Sequence, residues 1–314
     1  MSTTRVGFMG PAGTNTHDAL VAQADLADPD HVALGSISEV AEAVEAGDVD
    51  CGVVPLENSL EGSVADTIDL IVFDKDLQIR REIVRPVDLQ LVGPPALVLD
   101  EVTEVVTYPV AAGQCRANLR KLVPNAQLVA ANSTGEAAAI VARTGGNRVA
   151  VSTRLAAQMA GLVVLHEDIP DHPGSETRFV LLGRGVPPPT GFDKTSIAVF
   201  QYEDRPGSLL AILQEFAVRG LNLTRLESRP TRGPLGDYYF LIDIEGHLAD
   251  ALLADALRGI KYRHRSVKFL GSYPRARREG LFHEVEEEAA WAAAGEWVEG
   301  LADLVDDEVD GAGP

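Results

Sequence analysis

The chain has 314 residues, about twice a typical domain length of about 150, so a small single module is excluded and two or three domains are expected. Hydrophobic residues at 46% and charged residues at 24% are ordinary for a globular protein with real cores, but a formal charge of −20 is not. That field disfavours nucleic acid and anionic membrane surfaces as partners.

Residues 275–314 carry −9 of the charge, and 22 Arg against 5 Lys suggest a GC-rich genome or adaptation to concentrated salt. Cys51 and Cys115 stand far apart, outside any Cys/His cluster, so neither a disulfide framework nor a metal site is indicated and the cytoplasm is the expected compartment. No N-terminal apolar region resembles a secretion signal, and no run reaches the about 18 apolar residues of a membrane span.

In chain order, Val6–Met9 reads as a strand that runs through Gly10-Pro11-Ala12-Gly13-Thr14 into a helix reaching about Ala24. A helix over about Ser38–Ala46, a buried strand over Cys51–Pro55 and a helix over about Val64–Phe73 follow. The pattern restarts with strands at Asp88–Val92 and Val105–Thr107, a helix over Ala112–Leu122, and a strand at Leu128–Ala131. Asn132-Ser133-Thr134 then leads into the helix Glu136–Arg143, followed by strands at Val149–Val151 and Leu162–Leu165. Alternating strands and helices imply an α/β sheet, here in two similar sets. The expected catalytic unit spans residues 1–185, with lobe one at about 1–82 and 175–185, lobe two at about 83–174, and strand Phe179–Leu182 returning to lobe one.

Gly185-Val186-Pro187-Pro188-Pro189 reads as a stiff linker. Residues 193–274 then show strand Ser196–Gln201, helix Ser208–Val218, strands Leu223–Ser228 and Tyr238–Ile244, helix Ala249–Leu257 and strand Val267–Leu270. This βαββαβ order is ferredoxin-like. Residues 275–314, with a helix over Glu284–Leu304 and only Trp291 and Trp297 as large apolar contacts, read as an acidic, poorly anchored tail.

The first glycine loop lacks the spacing of a dinucleotide or Walker fingerprint, but it puts free N–H groups at a helix start, where an anion is favoured. Asn132-Ser133-Thr134-Gly135-Glu136 has the same form in lobe two and doubles as a capping box. With the polar cluster Pro55-Leu56-Glu57-Asn58-Ser59 at a strand end, the two loops suit a small dianion held in a cleft.

These pieces, with Gly62, Val64, Gln114-Cys115, Ala137 and Thr177-Arg178-Phe179, resemble the prephenate dehydratases, in order and over about Val6 to Pro274. Arg205-Pro206-Gly207-Ser208-Leu209 and Glu227-Ser228-Arg229-Pro230 resemble the phenylalanine-binding motifs of an ACT regulatory domain. The resemblance implies a two-lobed catalytic domain like periplasmic binding proteins, converting prephenate to phenylpyruvate with loss of carbon dioxide and water, and needing no cofactor or metal. It implies catalytic roles for Thr177, Asn58 and Gln114, with Thr177 donating a hydrogen bond to the departing ring hydroxyl, alone or with a water or neighbouring acid. Thr14, Ser59, Ser133 and Thr134 are expected to hold the substrate. Arg178 either clamps a carboxylate or ties the lobes together, Phe179 is packing at the substrate site, and Glu57 is a structural hydrogen-bond partner.

In the regulatory module the resemblance places an effector, L-phenylalanine, at Gly207, Ser208, Leu209, Glu227, Ser228, Arg229 and Pro230, in a homodimer or homotetramer paired through the ACT domains. The chain departs from the family pattern at Tyr108-Pro109, where many relatives have His-Pro, and at Gly174-Ser175-Glu176, where an Asn is usual. The alternatives are an arogenate dehydratase, or an amino-acid-sensing protein without catalysis.

Overall fold

The computed structural model describes residues 4–26, 30–201, 206–234, 236–264, 266–276 and 284–302. The first sheet begins with β1 (Arg5–Met9), parallel on one side to β2 (Asp30–Leu34) and on the other to β3 (Cys51–Asn58). α1 (Asn15–Val21) and α2 (Ile37–Ala46) connect them; Thr14 and Ser36 cap these helices with side-chain oxygens, and Gly47 ends α2 in the left-handed conformation. β3 turns back as the short β4 (Gly62–Ser63), and α3 (Ala65–Asp69) continues as a single π-type stretch, Leu70–Asp74. β5 (Gln78–Pro86) then forms the sheet edge.

The second lobe holds β6 (Gln90–Gly93), β7 (Glu104–Thr107), β8 (Gln127–Ala130), β9 (Arg148–Ser152) and β10 (Val163–His166), in the order β10-β6-β9-β7-β8. Its helices are α4 (Pro109–Gln114), α5 (Arg116–Leu122), α6 (Thr134–Thr144) and α7 (Arg154–Ala160). The chain re-enters the first sheet as β11 (Glu176–Gly183), antiparallel between β3 and β5, giving the order β2-β1-β3-β11-β5. The expected lobe boundary at residue 82 falls inside β5, which belongs to the first sheet throughout.

The third sheet contains β12 (Asp193–Phe200), β13 (Leu223–Pro230), β14 (Tyr238–Glu245) and β15 (Ser266–Pro274), in the order β13-β14-β12-β15, with α8 (Ser208–Ala217) and α9 (Ala251–Arg263). This is the expected βαββαβ unit. Strand alternation divides its residues between two buried faces. Ile197, Val199, Ile242 and Ile244 meet Ile212, Phe216, Leu253 and Ile260 of the helices. Ala198, Tyr239, Leu241, Leu270 and Tyr273 pack instead on lobe one, against Ile71, Leu77, Val180 and Leu182. The linker therefore leads to a docked domain rather than a separated one.

α10 (Glu284–Ala302) follows, with Trp291 and Trp297 exposed. The rest of the expected tail, residues 277–283 and 303–314, lies outside the described residues, as does Arg205. Among the described residues no helix is long and apolar enough to cross a membrane.

Candidate active site

β11 carries the centre of the site, and its alternation decides what each side chain does. Thr177 and Phe179 project to the face shared with β1 and α1, where Phe179 joins Val6, Phe8, Leu20 and Ile83. Arg178 projects to the opposite face, toward the third sheet. Thr177 pairs in register with Asn58 of β3, and Asn58 Nδ2 donates to Thr177 Oγ1 at 2.9 Å. The amide orientation is set by its other end, because Asn58 Oδ1 accepts from the N–H groups of Leu60 (2.9 Å) and Glu61 (3.1 Å). With its oxygen occupied as an acceptor, the Thr177 hydroxyl has its proton available to a group in the cleft.

That cleft is a cavity of about 200 Å³ between the lobes. Lobe one contributes Thr177, Phe179, Asn15, Asp18 and Arg85; lobe two contributes Asp88, Thr153 and Arg154. Arg85 Nη2 lies 3.3 Å from Asp18 Oδ2, while its buried Nε has no hydrogen-bond partner. Arg154, in the first turn of α7, pairs with Glu167 at 2.7 Å. Burial and the neighbouring charge of Asp168 raise the Asp88 carboxyl above its usual range; Arg154 opposes that shift, and Asp18 adds to it.

The two lobes touch behind this cavity. Thr153 Oγ1 donates to the Gly13 carbonyl at 2.8 Å, in a buried contact between lobes. Gly13, at φ +84°, lies so close to Ala156 that an added Cβ would be 2.8 Å from the Ala156 Cβ, and a Cβ on Gly135 would be 2.5 Å from the Ala12 carbonyl oxygen. Both glycine motifs are thus joined to each other. His17 Nδ1 accepts from Gly13 N at 3.1 Å, and the His17 ring stacks on Phe8 at 4.6 Å; burial, then the proximity of His31, lowers its pKa and favours the neutral acceptor.

Several sequence-predicted side chains stand elsewhere. Thr14 Oγ1 caps α1, accepting from His17 N at 3.4 Å, next to the cavity residues Asn15 and Asp18. Ser133 Oγ accepts from Glu136 N at 3.0 Å as the helix cap, and Glu136 accepts from Asn132 N at 2.6 Å, one residue before the cap. Ser133 and the buried Thr134 are outside the cavity lining, and Gly135 is the residue of this motif that lies against the Ala12–Gly13 loop; in lobe two the helix start that lines the cavity is that of α7. Gln114 is buried at the end of α4, outside the cavity lining. Ser59 Oγ accepts from Glu176 N at 2.9 Å and so supports the strand that bears Thr177.

Arg178 is not a cleft residue. It is 8% exposed and bonded to Asp243 (2.7 Å) and the Tyr273 hydroxyl (2.9 Å) of the third sheet, with Glu57 at 3.4 Å. The carboxylate-clamp expectation is corrected accordingly: Arg178 ties lobe one to the third sheet, not lobe to lobe, and Glu57 has the structural role expected of it. Glu227 and Arg229 also have partners on lobe one. Glu227 accepts from Ser63 Oγ at 2.6 Å and Arg229 lies 3.6 Å from Asp69, so both side chains face lobe one. Ser228 and Pro230 alternate with them on the exposed face of β13. Gly207, at φ +87°, precedes α8, and the following Ser208 and Leu209 form its first turn.

The cavity residues Arg85, Arg154, Asp88 and Thr153 were not among the residues expected at the site. The available signal was the placement of Thr153-Arg154 at the carboxyl end of the β9 strand, where α/β sheets bind ligands. Neither cysteine is a nucleophile: burial pushes the thiols up to about 11 for Cys51 and about 12 for Cys115.

Two α/β lobes around a polar cleft, with a ferredoxin-like module docked on one lobe, define a small-molecule enzyme joined to a regulatory domain. The prephenate dehydratase family model matches residues 6–186, and the ACT domain model matches residues 196–261. A prephenate dehydratase of Mycolicibacterium vanbaalenii is 42% identical over 311 residues, covering 94% of this chain and 97% of that protein. The crystal structure of a prephenate dehydratase from Arthrobacter aurescens, in complex with L-Phe, superposes with a TM-score of 0.88 at 38% identity, covering 96% of this chain and all of that one. GqqA, described as a novel type of quorum-quenching acylase, also shares the fold, with a TM-score of 0.77 at 30% identity over 86% of this chain and 98% of its own. The chain belongs to the prephenate dehydratase family and carries a C-terminal ACT domain.

Proposed function

We propose that the Thr177–Asn58 pair carries the family's reaction in this chain, the conversion of prephenate to phenylpyruvate, which makes it a carbon–oxygen lyase of cytoplasmic phenylalanine biosynthesis. The ring carboxylate leaves as carbon dioxide, its bonding pair enters the ring, the C–O bond to the ring hydroxyl breaks, and that oxygen takes one proton and leaves as water. Aromatisation supplies the driving force, so the protein positions the dianion, assists the departing hydroxyl and desolvates the carboxylate.

Thr177 donates its hydrogen bond to the departing oxygen, and Asp88, a cavity carboxyl that burial raises above its usual range, is assigned the proton transfer. Arg85 and Arg154, one from each lobe, hold the two carboxylates in place of the excluded Arg178. Gln114, Ser59, Thr14, Ser133 and Thr134 shape the site from behind, by packing and backbone support. The single observation that carries this reading is the 2.9 Å bond from Asn58 to Thr177, which leaves the hydroxyl proton for the cleft. The test is phenylpyruvate formation from prephenate by the purified chain, compared with turnover of arogenate, which differs in bearing an amino group in place of the side-chain keto group. A folded protein that makes no phenylpyruvate contradicts it and favours a sensor.

The effector of the ACT domain is L-phenylalanine, the ligand bound by the Arthrobacter aurescens relative. Gly207, without a side chain, permits close approach of an effector carboxylate to the start of α8, and the exposed face of β13, with Leu226 and Ser228, lies at the sheet edge. That edge is where a second copy pairs in a homodimer or homotetramer. Absence of any response in activity or assembly at saturating phenylalanine contradicts this part.

A further inference from the structure

Thr177 and Arg178 are consecutive on one strand, and each has an in-register partner on β3: Asn58 for Thr177 and Glu57 for Arg178. The pair facing the cleft is therefore backed, one residue on in one strand and one residue back in the other, by an ion pair facing the third sheet. Arg178 Nη1 lies 2.7 Å from Asp243 Oδ2 of β14 and 3.4 Å from Glu57; its Nη2 donates to the Tyr273 hydroxyl of β15 at 2.9 Å. Asp243 is itself fixed by Ser196 Oγ at 2.5 Å, and Lys194 of β12 reaches Glu82 of β5 at 3.0 Å. Three strands of the ACT sheet thus grip the two strands that hold Arg178.

A second contact runs parallel to the first. Arg225 of β13, in register with Asp243, reaches Ser63 Oγ of β4 at 2.5 Å and lies 3.8 Å from Glu57. The opposite face of β13 is exposed, so one strand presents Leu226 and Ser228 outward and Arg225 to lobe one. Buried charges with partners on two domains cannot follow small displacements of one domain without losing well-aligned partners. Any shift of the sheet relative to lobe one is therefore delivered to the backbone that places Thr177 and Asn58.

We propose that Arg178 is a positioning residue that couples the ACT sheet to the Thr177 hydroxyl. It acts through the peptide it shares with Thr177 and touches no substrate. The inference rests on Thr177 acting at the departing hydroxyl.

The test uses the full chain with Tyr273→Phe, which removes only the hydroxyl facing Arg178, and Asp243→Asn, which keeps the shape and removes the charge. Arg232→Gln is the control, because Arg232 bridges the same domains through Asp74 (2.8 Å) and Asp69 (3.4 Å) without contacting β11. The expected result is a kcat lowered at least fivefold in Tyr273→Phe and Asp243→Asn with KM within twofold of the parent, and a half-effective phenylalanine concentration moved at least fivefold, within the usual range of coupling between sites. Arg232→Gln keeps the parent's kcat and phenylalanine response. Unchanged kcat and phenylalanine response in both variants, with only a lower melting temperature, overturns the proposal, as does an equal kcat loss in Arg232→Gln. Should either variant fail to fold, the other decides the matter by the same criteria, with Arg178→Lys as the third. Thr177→Ala separates the two layers: full activity in it defeats the reading of Thr177, whereas its inactivity beside fully active Tyr273→Phe and Asp243→Asn defeats the coupling alone.

Discussion

Asn58 donates its side-chain amide to the Thr177 hydroxyl oxygen across two adjacent antiparallel strands, at 2.9 Å, with the amide oxygen held by two backbone N–H groups. This arrangement turns a weakly acidic hydroxyl into an oriented donor. Thr177→Ala is expected to lower kcat about 10²- to 10³-fold with a small change in KM, since the bond is made mainly in the transition state. Asn58→Ala loses an orienting hydrogen bond between two uncharged groups, of about 0.5–1.5 kcal/mol, about two- to tenfold in kcat. Steady-state kinetics on folded variants, with circular dichroism as the folding check, tests both values; Thr177→Ser recovers part of the activity.

Asp88 predicts an alkaline limb. Its folded-state pKa is raised, chiefly by burial, so the protonated acid persists to higher pH than an exposed carboxyl, and activity falls as pH rises through that raised value. Asp88→Asn is expected to remove this limb from the pH profile of kcat and to lower kcat about tenfold or more. An unchanged limb in Asp88→Asn assigns the titration to another group.

The contact between lobes depends on two small residues. Gly13→Ala forces φ +84° on a residue with a Cβ and drives that atom into Ala156; Gly135→Ala drives it into the Ala12 carbonyl. Each is expected to cost about 1–3 kcal/mol of stability and to lower the melting temperature by several degrees. Gly47→Ala, at a comparable φ of +80° with open space around it, carries the backbone strain without the collision and is the internal comparison.

At the domain interface Gly271 of β15 lies against the backbone of β5. It sits at φ +146°, and a Cβ there would be 2.3 Å from the Ile79 carbonyl oxygen, backbone against backbone. Gly271→Ala is expected to separate β15 from β5, detected as faster proteolysis at the Gly185–Pro189 linker and a lower melting temperature.

The acidity sets a condition on the substrate. A protein with a net charge of −20 repels a dianion at long range, and about 1 M salt cuts the screening length to about 3 Å. kcat/KM is therefore expected to hold or rise between 0.1 and 1 M potassium chloride, each figure being about the ends of the screening range. Steep loss of folding and activity over that range contradicts a salt-adapted surface.

Much of this was legible in the sequence, for identifiable physical reasons. Apolar runs announced β3, β9 and β14, and the Ser133/Glu136 capping box announced α6, because burial and capping are local. β5 was missed because Arg80, Arg81 and Glu82 make it look solvated; in the fold Arg81 pairs with Asp25 and Glu82 with Lys194, partners 56 and 112 positions away. Arg178 was half legible. Strand alternation alone puts it opposite Thr177, but only the third sheet reveals Asp243 and Tyr273. The cavity cations Arg85 and Arg154 lay hidden because they come from different lobes and belong to no local motif.

The most direct test of the central claim is the rate of phenylpyruvate formation from prephenate by the parent chain and by Thr177→Ala, measured side by side on folded protein. Turnover by the parent and a loss of at least a hundredfold in the variant, with KM little changed, are expected. A folded parent without product, or a Thr177→Ala protein with the parent's kcat, contradicts that claim.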